Sequence, residues 1–130
     1  MILPDTSIWI AAIRDEISLP RSTYGDLCTC GPVIQEVLQG LGDNQLDQEF
    51  RIAISNVTTF GDPLPVAAFK TAAAIYHQGR ARGYTIRSSF DCLIAAIAID
   101  YGLTVWHRDR DYDAIAKFTP LRVTRTLRNH

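Results

Sequence analysis

The chain has 130 residues, 47% of them hydrophobic and 21% charged, which is the balance of a folded globular protein about one domain long and excludes a disordered or fibrous chain. Thirteen Lys and Arg stand against 14 Asp and Glu, a net charge of -1, so no overall field favours a polyanion. Any nucleic acid must be gripped locally.

Met1 to Leu3 are apolar, and Asp5, Thr6 and Ser7 supply capping groups before the apolar run Ile8 to Ile13, a pattern of strand, sharp turn and helix. Arg14 to Gly25 is charged and turn-rich, and Leu27 to Thr29 is a short apolar segment ended by Gly31 and Pro32. Pro32 suits the first turn of a helix with Val33, Ile34, Val37, Leu38 and Leu41 as its apolar stripe and Glu36 among them. Gln45 to Ser55 has helical spacing, and Val57 to Phe60 is strand-like before a turn at Gly61 to Pro65. The alanine-rich segment Val66 to Arg82 predicts a helix ended by Gly83, with Tyr84 to Arg87 as a connector. Ser88 and Ser89 are capping candidates for the helix Phe90 to Tyr101, which is apolar almost all round and belongs in the centre of the molecule. Leu103 to Trp106 reads as a buried strand, His107 to Asp113 is highly charged, Tyr112 to Phe118 is a short helix, and Leu121 to Val123 is a last strand. Strands alternating with helices imply an α/β sandwich on a mostly parallel sheet, with ligands near the carboxyl ends of the strands.

The longest apolar run, Leu93 to Ile99, is too short to cross a bilayer, and no signal peptide is expected ahead of the first strand. Cys28, Cys30 and Cys92 are odd in number and irregularly spaced, which fits reduced thiols in the cytoplasm better than a disulfide framework. With His77, His107 and His130 they invite a zinc site, but no Cys-x-x-Cys or His-x-x-x-His spacing supports one. No glycine-rich phosphate loop or Gly-x-Ser-x-Gly elbow is present.

Asp5, Asp91 and Asp109 occupy ends of elements, where sheet folds build sites, and Glu36 lies on a helix. Each alone has an ordinary explanation as a helix cap or a solvated surface charge. Together, four carboxylates brought close would repel and raise one another's pKa unless a cation neutralised them. Oxygen-only ligands favour Mg²⁺ or Mn²⁺, ions that polarise phosphodiester oxygens and lower the pKa of water.

The segments Ile2-Leu3-Pro4-Asp5-Thr6-Ser7, Pro32 to Gly40, Asp91-Cys92-Leu93-Ile94-Ala95-Ala96-Ile97-Ala98 and Arg108-Asp109-Arg110-Asp111-Tyr112, in this order, resemble a PIN domain, and among PIN domains the VapC-type toxins of toxin–antitoxin pairs. The resemblance covers essentially the whole chain. It implies one PIN domain over residues 1–130, an α/β/α sandwich with a central, mostly parallel sheet of about five strands. It further implies that Asp5, Glu36, Asp91 and Asp109 bind one or two Mg²⁺ or Mn²⁺ ions, with Ser7 or Thr6 behind them, and that water hydrolyses single-stranded RNA to leave a 5′-phosphate and a 3′-hydroxyl. Glu36 or Asp109 is the acid expected to orient the water. A cytoplasmic homodimer neutralised by a small VapB-like antitoxin is also implied.

The family often carries a Thr ahead of the late Asp-x-Asp, whereas His107 and Arg108 stand here, so Asp111 competes with Asp109 as fourth ligand. In the alternative arrangement Asp111 caps the last helix and Asp109 faces the metal, with Asp113 on the surface. Arg14, Arg87, Arg108 and Arg110 suit RNA phosphates, and Lys117, Arg122, Arg125 and Arg128 extend a basic edge, with surface ion pairing as the simpler account. Of the aromatic residues Trp9, Trp106 and Phe90 belong to apolar runs, which leaves Tyr112 as the candidate for stacking on bases. Two other functions compete: a phosphatase using Asp109-Arg110-Asp111 to form an aspartyl-phosphate, and an inactive PIN-like module that binds RNA or protein without cutting.

Overall fold

The computed structural model describes residues 1–127, so Arg128 and His130 lie outside the described residues. Strand β1 (Ile2–Pro4) leads directly into helix α1 (Thr6–Ile13) through Asp5, and the charged segment that follows contains a 3-10 turn over Arg21–Asp26. Then come β2 (Cys28–Cys30), α2 (Gly31–Gly40), α3 (Gln45–Ser55), β3 (Thr58–Phe60), α4 (Val66–Ala81), α5 (Ser89–Tyr101), β4 (Thr104–Trp106), α6 (Arg110–Phe118) and β5 (Arg122–Thr124).

Among the described residues the strand pairings are parallel, as expected for an α/β chain whose strands are separated by helices. One sheet has the order β1-β4-β5, the other pairs β2 with β3, and a bridge between Ile2 and Leu27 joins them into the order β3-β2-β1-β4-β5. Pro4 stands opposite Trp106 and Trp106 opposite Thr124, so three strands end level with one another. The next residues stay linked: the Asp5 N–H donates to the Trp106 carbonyl at 2.9 Å and the His107 N–H to the Thr124 carbonyl at 3.0 Å. The site is built on this level edge.

Helix α5 is the central one that its composition predicts, with Cys92 to Ala98 buried without a break. Ser88, not Ser89, is its cap, accepting the Asp91 N–H, and Gly102 closes it at φ 67°, the left-handed geometry that favours glycine. Against α5 packs α4, whose inner face is Ala68, Ala72, Ile75 and Gly79. A Cβ on Gly79 would sit 2.5 Å from Ile86 Cδ1, so any side chain there would require Ile86 to move.

Several boundaries differ from the expected ones by a residue, as with β2 and β5, because the ladder partner rather than the apolar run sets where a strand is paired. The last helix begins at Arg110 and not at Tyr112, since Asp109 supplies the cap. Leu38, assigned to the apolar stripe of α2, is exposed, while Val33 and Val37 are fully buried. Trp9 and Trp106 are core residues as expected. Among the described residues no helix is long and apolar enough to cross a membrane.

Candidate functional site

Asp5 is the first residue beyond β1 and is buried, with an extended backbone that makes it the cap of α1. Its Oδ1 accepts the Ser7 hydroxyl at 2.7 Å and the Ile8 N–H at 3.1 Å. Burial pushes the Asp5 carboxyl above the usual carboxylate range; these two hydrogen bonds and His107 oppose the rise, and Asp109 adds to it. Glu36, half-buried on α2, accepts the Thr6 hydroxyl on Oε1 at 2.8 Å, so Thr6 and Ser7 each orient one acid.

Asp91 lies in the first turn of α5 and accepts the Tyr112 hydroxyl on Oδ1 at 3.1 Å. Burial is the main reason that its pKa is pushed up to about 7; Asp109, Asp5 and Glu36 raise it further, and the Tyr112 hydrogen bond acts against them. The Tyr112 hydroxyl is itself held protonated, its pKa raised by burial first and by Asp91 next, so it remains a donor.

Asp109 and Asp111 come from the turn between β4 and α6. Asp109 donates its N–H to His107 Nδ1 at 3.0 Å and accepts the Asp111 N–H on Oδ1 at 2.9 Å, which caps α6. Asp111 is only 3% exposed, and its Oδ2 accepts the Arg87 N–H at 3.2 Å. The Arg87 guanidinium stands 3.8 Å from Asp111 and 3.9 Å from Asp109, near enough to attract both carboxylates without a tight hydrogen bond to either. One carboxylate oxygen from each of Asp91, Asp109 and Asp111 lies within 4.8 Å of the others. Asp5 and Glu36 border this trio and act on Asp91 through their charge.

Three carboxyl groups this close repel one another when ionised unless a cation neutralises them, and a donor set of carboxylate oxygens would suit Mg²⁺ or Mn²⁺. Among the described residues the convergent ligand group holds no Cys or His; the three cysteines are buried and free, and burial raises their thiols to about 12 for Cys28 and about 11 for Cys30 and Cys92. Nothing among those residues assembles the zinc site weighed from the sequence.

Two expectations are corrected. Asp111 does not cap the last helix: Asp109 does so while also facing the acids, and Asp111 turns inward beside it. Tyr112 is not available for stacking on bases, because it is wholly buried with its hydroxyl on Asp91. The signal was in the sequence, since Tyr112 and Ile115 stand three apart on one face of an amphipathic helix. His107 carries a role its sequence position did not reveal. It is fully buried, accepts the Asp109 N–H on Nδ1, and turns Nε2 to within 3.1 Å of Asp113 Oδ1. That approach lacks hydrogen-bond alignment and is electrostatic. Arg125 holds Asp113 in turn, with Nε at 3.0 Å and Nη2 at 2.6 Å from Oδ2.

Residues 2–118 match the PIN domain family. VapC ribonuclease Mb1587 of Mycobacterium bovis is 34% identical over 130 residues, covering 94% of this chain and 96% of its own, and ribonuclease VapC11 of Mycobacterium tuberculosis matches to the same degree. Among solved structures, VapBC2 from Rickettsia felis, bound to a DNA fragment from its promoter, superposes with a TM-score of 0.69 at 18% identity, covering 95% of this chain and 98% of that one. VapBC-5 of the toxin–antitoxin family from Mycobacterium tuberculosis gives 0.67 at 19%, covering 95% and 97%.

Proposed function

We propose that this chain, which belongs to the PIN domain family and within it to the VapC group, is a ribonuclease toxin that hydrolyses RNA phosphodiester bonds with Mg²⁺ or Mn²⁺. The observation that carries the metal is the convergence of Asp91, Asp109 and Asp111 within 4.8 Å, bordered by Asp5 and Glu36. When bound, such an ion supplies Lewis acidity toward phosphodiester oxygens and makes water a better nucleophile at neutral pH.

The side chains have distinct tasks in this reading. Asp91, Asp109 and Asp111 hold the cation, and Asp5 completes the negative field behind it. The Tyr112 hydroxyl fixes the orientation of Asp91, and the Ser7 hydroxyl that of Asp5. Glu36 stands apart from the converging trio with one oxygen on Thr6, so its other oxygen is the acceptor for a proton from the attacking water. The products are a 5′-phosphate and a 3′-hydroxyl, with no covalent enzyme intermediate.

The same membership supports a small VapB-like antitoxin as the inhibitory partner, since the solved relatives include VapBC assemblies, and a homodimeric, single-domain protein working in the cytoplasm. The test is cleavage of structured RNAs by purified, partner-free protein with Mg²⁺ or Mn²⁺ and with EDTA, beside Asp5→Asn and Asp91→Asn. Cleavage should require the metal and fall more than about 100-fold in both variants. Equal behaviour of wild type and variants would sink the reading.

A further inference from the structure

The chain as a whole carries a net charge of -1, yet four arginines gather at one place. A shallow depression of about 480 Å³ beside the acids is lined by Ser7, Arg87, Arg108, Asp109, Arg110 and Arg125. Their charges are only partly answered. Arg125 is held by Asp113, and Arg108 lies 3.6 Å from Glu16 with both side chains about half exposed, an ion pair of little strength in water. Arg110 is exposed and makes no ion pair among the described residues. Arg87 is the most informative. Its side chain is 61% exposed and lies 3.8 to 3.9 Å from two of the acids, while its backbone N–H is fixed on Asp111. The residue is thus anchored at its backbone, and its guanidinium makes ion pairs but no tight hydrogen bond with the two acids.

We propose that this depression binds a phosphodiester group of single-stranded RNA flanking the bond that is cut, with Arg87 passing from the carboxylates of Asp109 and Asp111 to that phosphate when a metal occupies the acids. The proposal rests on the ribonuclease reading and adds to it where the strand is held. A guanidinium presents a planar fork of donors matched to two phosphate oxygens and keeps its charge at any working pH. When a divalent cation neutralises the acids, Arg87 loses their attraction and is repelled by the ion, which leaves its fork for the phosphate. Metal and Arg87 therefore compete for the same carboxylates, whereas metal and RNA do not.

This arrangement predicts effects of opposite sign, which a merely structural arginine would not give. The measurements are Mn²⁺ affinity by calorimetry without RNA, and binding of a fluorescent single-stranded oligoribonucleotide by anisotropy with Ca²⁺ in place of Mn²⁺, across a salt series. In the double variant Arg108→Ala/Arg110→Ala, RNA affinity should fall about tenfold and the salt slope should shrink by about 0.7 for each phosphate that is no longer neutralised, with Mn²⁺ affinity changed less than in Arg87→Ala. In Arg87→Ala, RNA binding should weaken and Mn²⁺ binding tighten by a few fold, and Arg87→Lys should recover the charge effect on Mn²⁺ but not the full RNA affinity. Arg21→Ala, at an exposed arginine outside the depression, serves as control. RNA affinity within about twofold of wild type in both the double variant and Arg87→Ala, or weaker Mn²⁺ binding in Arg87→Ala, overturns the proposal. If wild type binds RNA and the variants bind it equally, the subsite alone is lost; if wild type binds and cuts no RNA, the ribonuclease reading falls and takes the subsite with it.

Discussion

Asp91 is an acid whose protonation is strongly displaced by its surroundings. Its pKa is about 7 in the folded chain against 3.8 in the unfolded one. Between those values the native state keeps a proton that the unfolded state has released, so without metal this group makes stability fall as pH rises from about 4 to 7 and adds no further change above. Asp91→Asn should remove that slope, giving a metal-free protein more stable than wild type at pH 8, as followed by urea unfolding at several pH values. Metal needs the ionised carboxylate, so Mn²⁺ affinity should climb through pH 7 and release protons on binding, which calorimetry in buffers of different ionisation enthalpy would detect. The rank of the fourth ligand is settled by the same assay. Asp109→Asn and Asp111→Asn should each weaken Mn²⁺ binding by more than about tenfold. An unaffected Asp111→Asn would return Asp111 to a structural role.

Among the elements, the turn from β4 into α6 carries both of those aspartates and is stiffened from inside by His107. Its Nδ1 accepts the Asp109 N–H, while Asp113, itself held by Arg125, faces Nε2. His107→Ala should leave that N–H without a partner and cost about 1–3 kcal/mol. His107→Asn, whose Oδ1 reaches the place of Nδ1, should recover most of the loss in thermal unfolding and in Mn²⁺ affinity. The α4–α5 pair is constrained differently. Gly79→Ala would set a Cβ against buried Ile86 and against Phe118, and where the Ile86 side chain cannot turn away the crowding should outweigh the better helix propensity of alanine, so Tm should drop. Because Ile86 precedes Arg87, that shift also reaches the guanidinium beside the acids.

For the molecule as a unit, the parallel sheet explains why residues far apart in sequence share one site. Parallel strands in register end at the same level, so Asp5 after β1 and the His107 to Asp111 turn after β4 leave the sheet side by side, and α5 brings Asp91 to them. The acids repel one another, which makes the metal-free protein strained at this edge and sensitive to ligand. Saturating Mn²⁺ at about 100 times its Kd should add about 2.7 kcal/mol of stability, read as a rise in Tm that EDTA reverses. No rise in Tm with Mn²⁺ would mean that the cluster does not bind the ion.

Local pattern in the sequence was enough for the alternation of strands and helices, the buried character of α5 and the order of the acidic motifs, because periodicity and capping act over a few residues at a time. Asp5 as a cap and Trp9 in the core were legible for that reason. Which acids converge was left to packing. Asp109 and Asp111 differ by two residues, and their roles depend on where α6 starts and which of its faces turns inward, a choice made when Tyr112 and Ile115 bury against the core. The same packing sets the tyrosine hydroxyl on Asp91, places His107 beneath the turn, and brings Arg87 from a separate connector to the edge of the carboxylates. Those interactions span long sequence separations and are fixed by how the helices pack on the sheet, which no local pattern encodes.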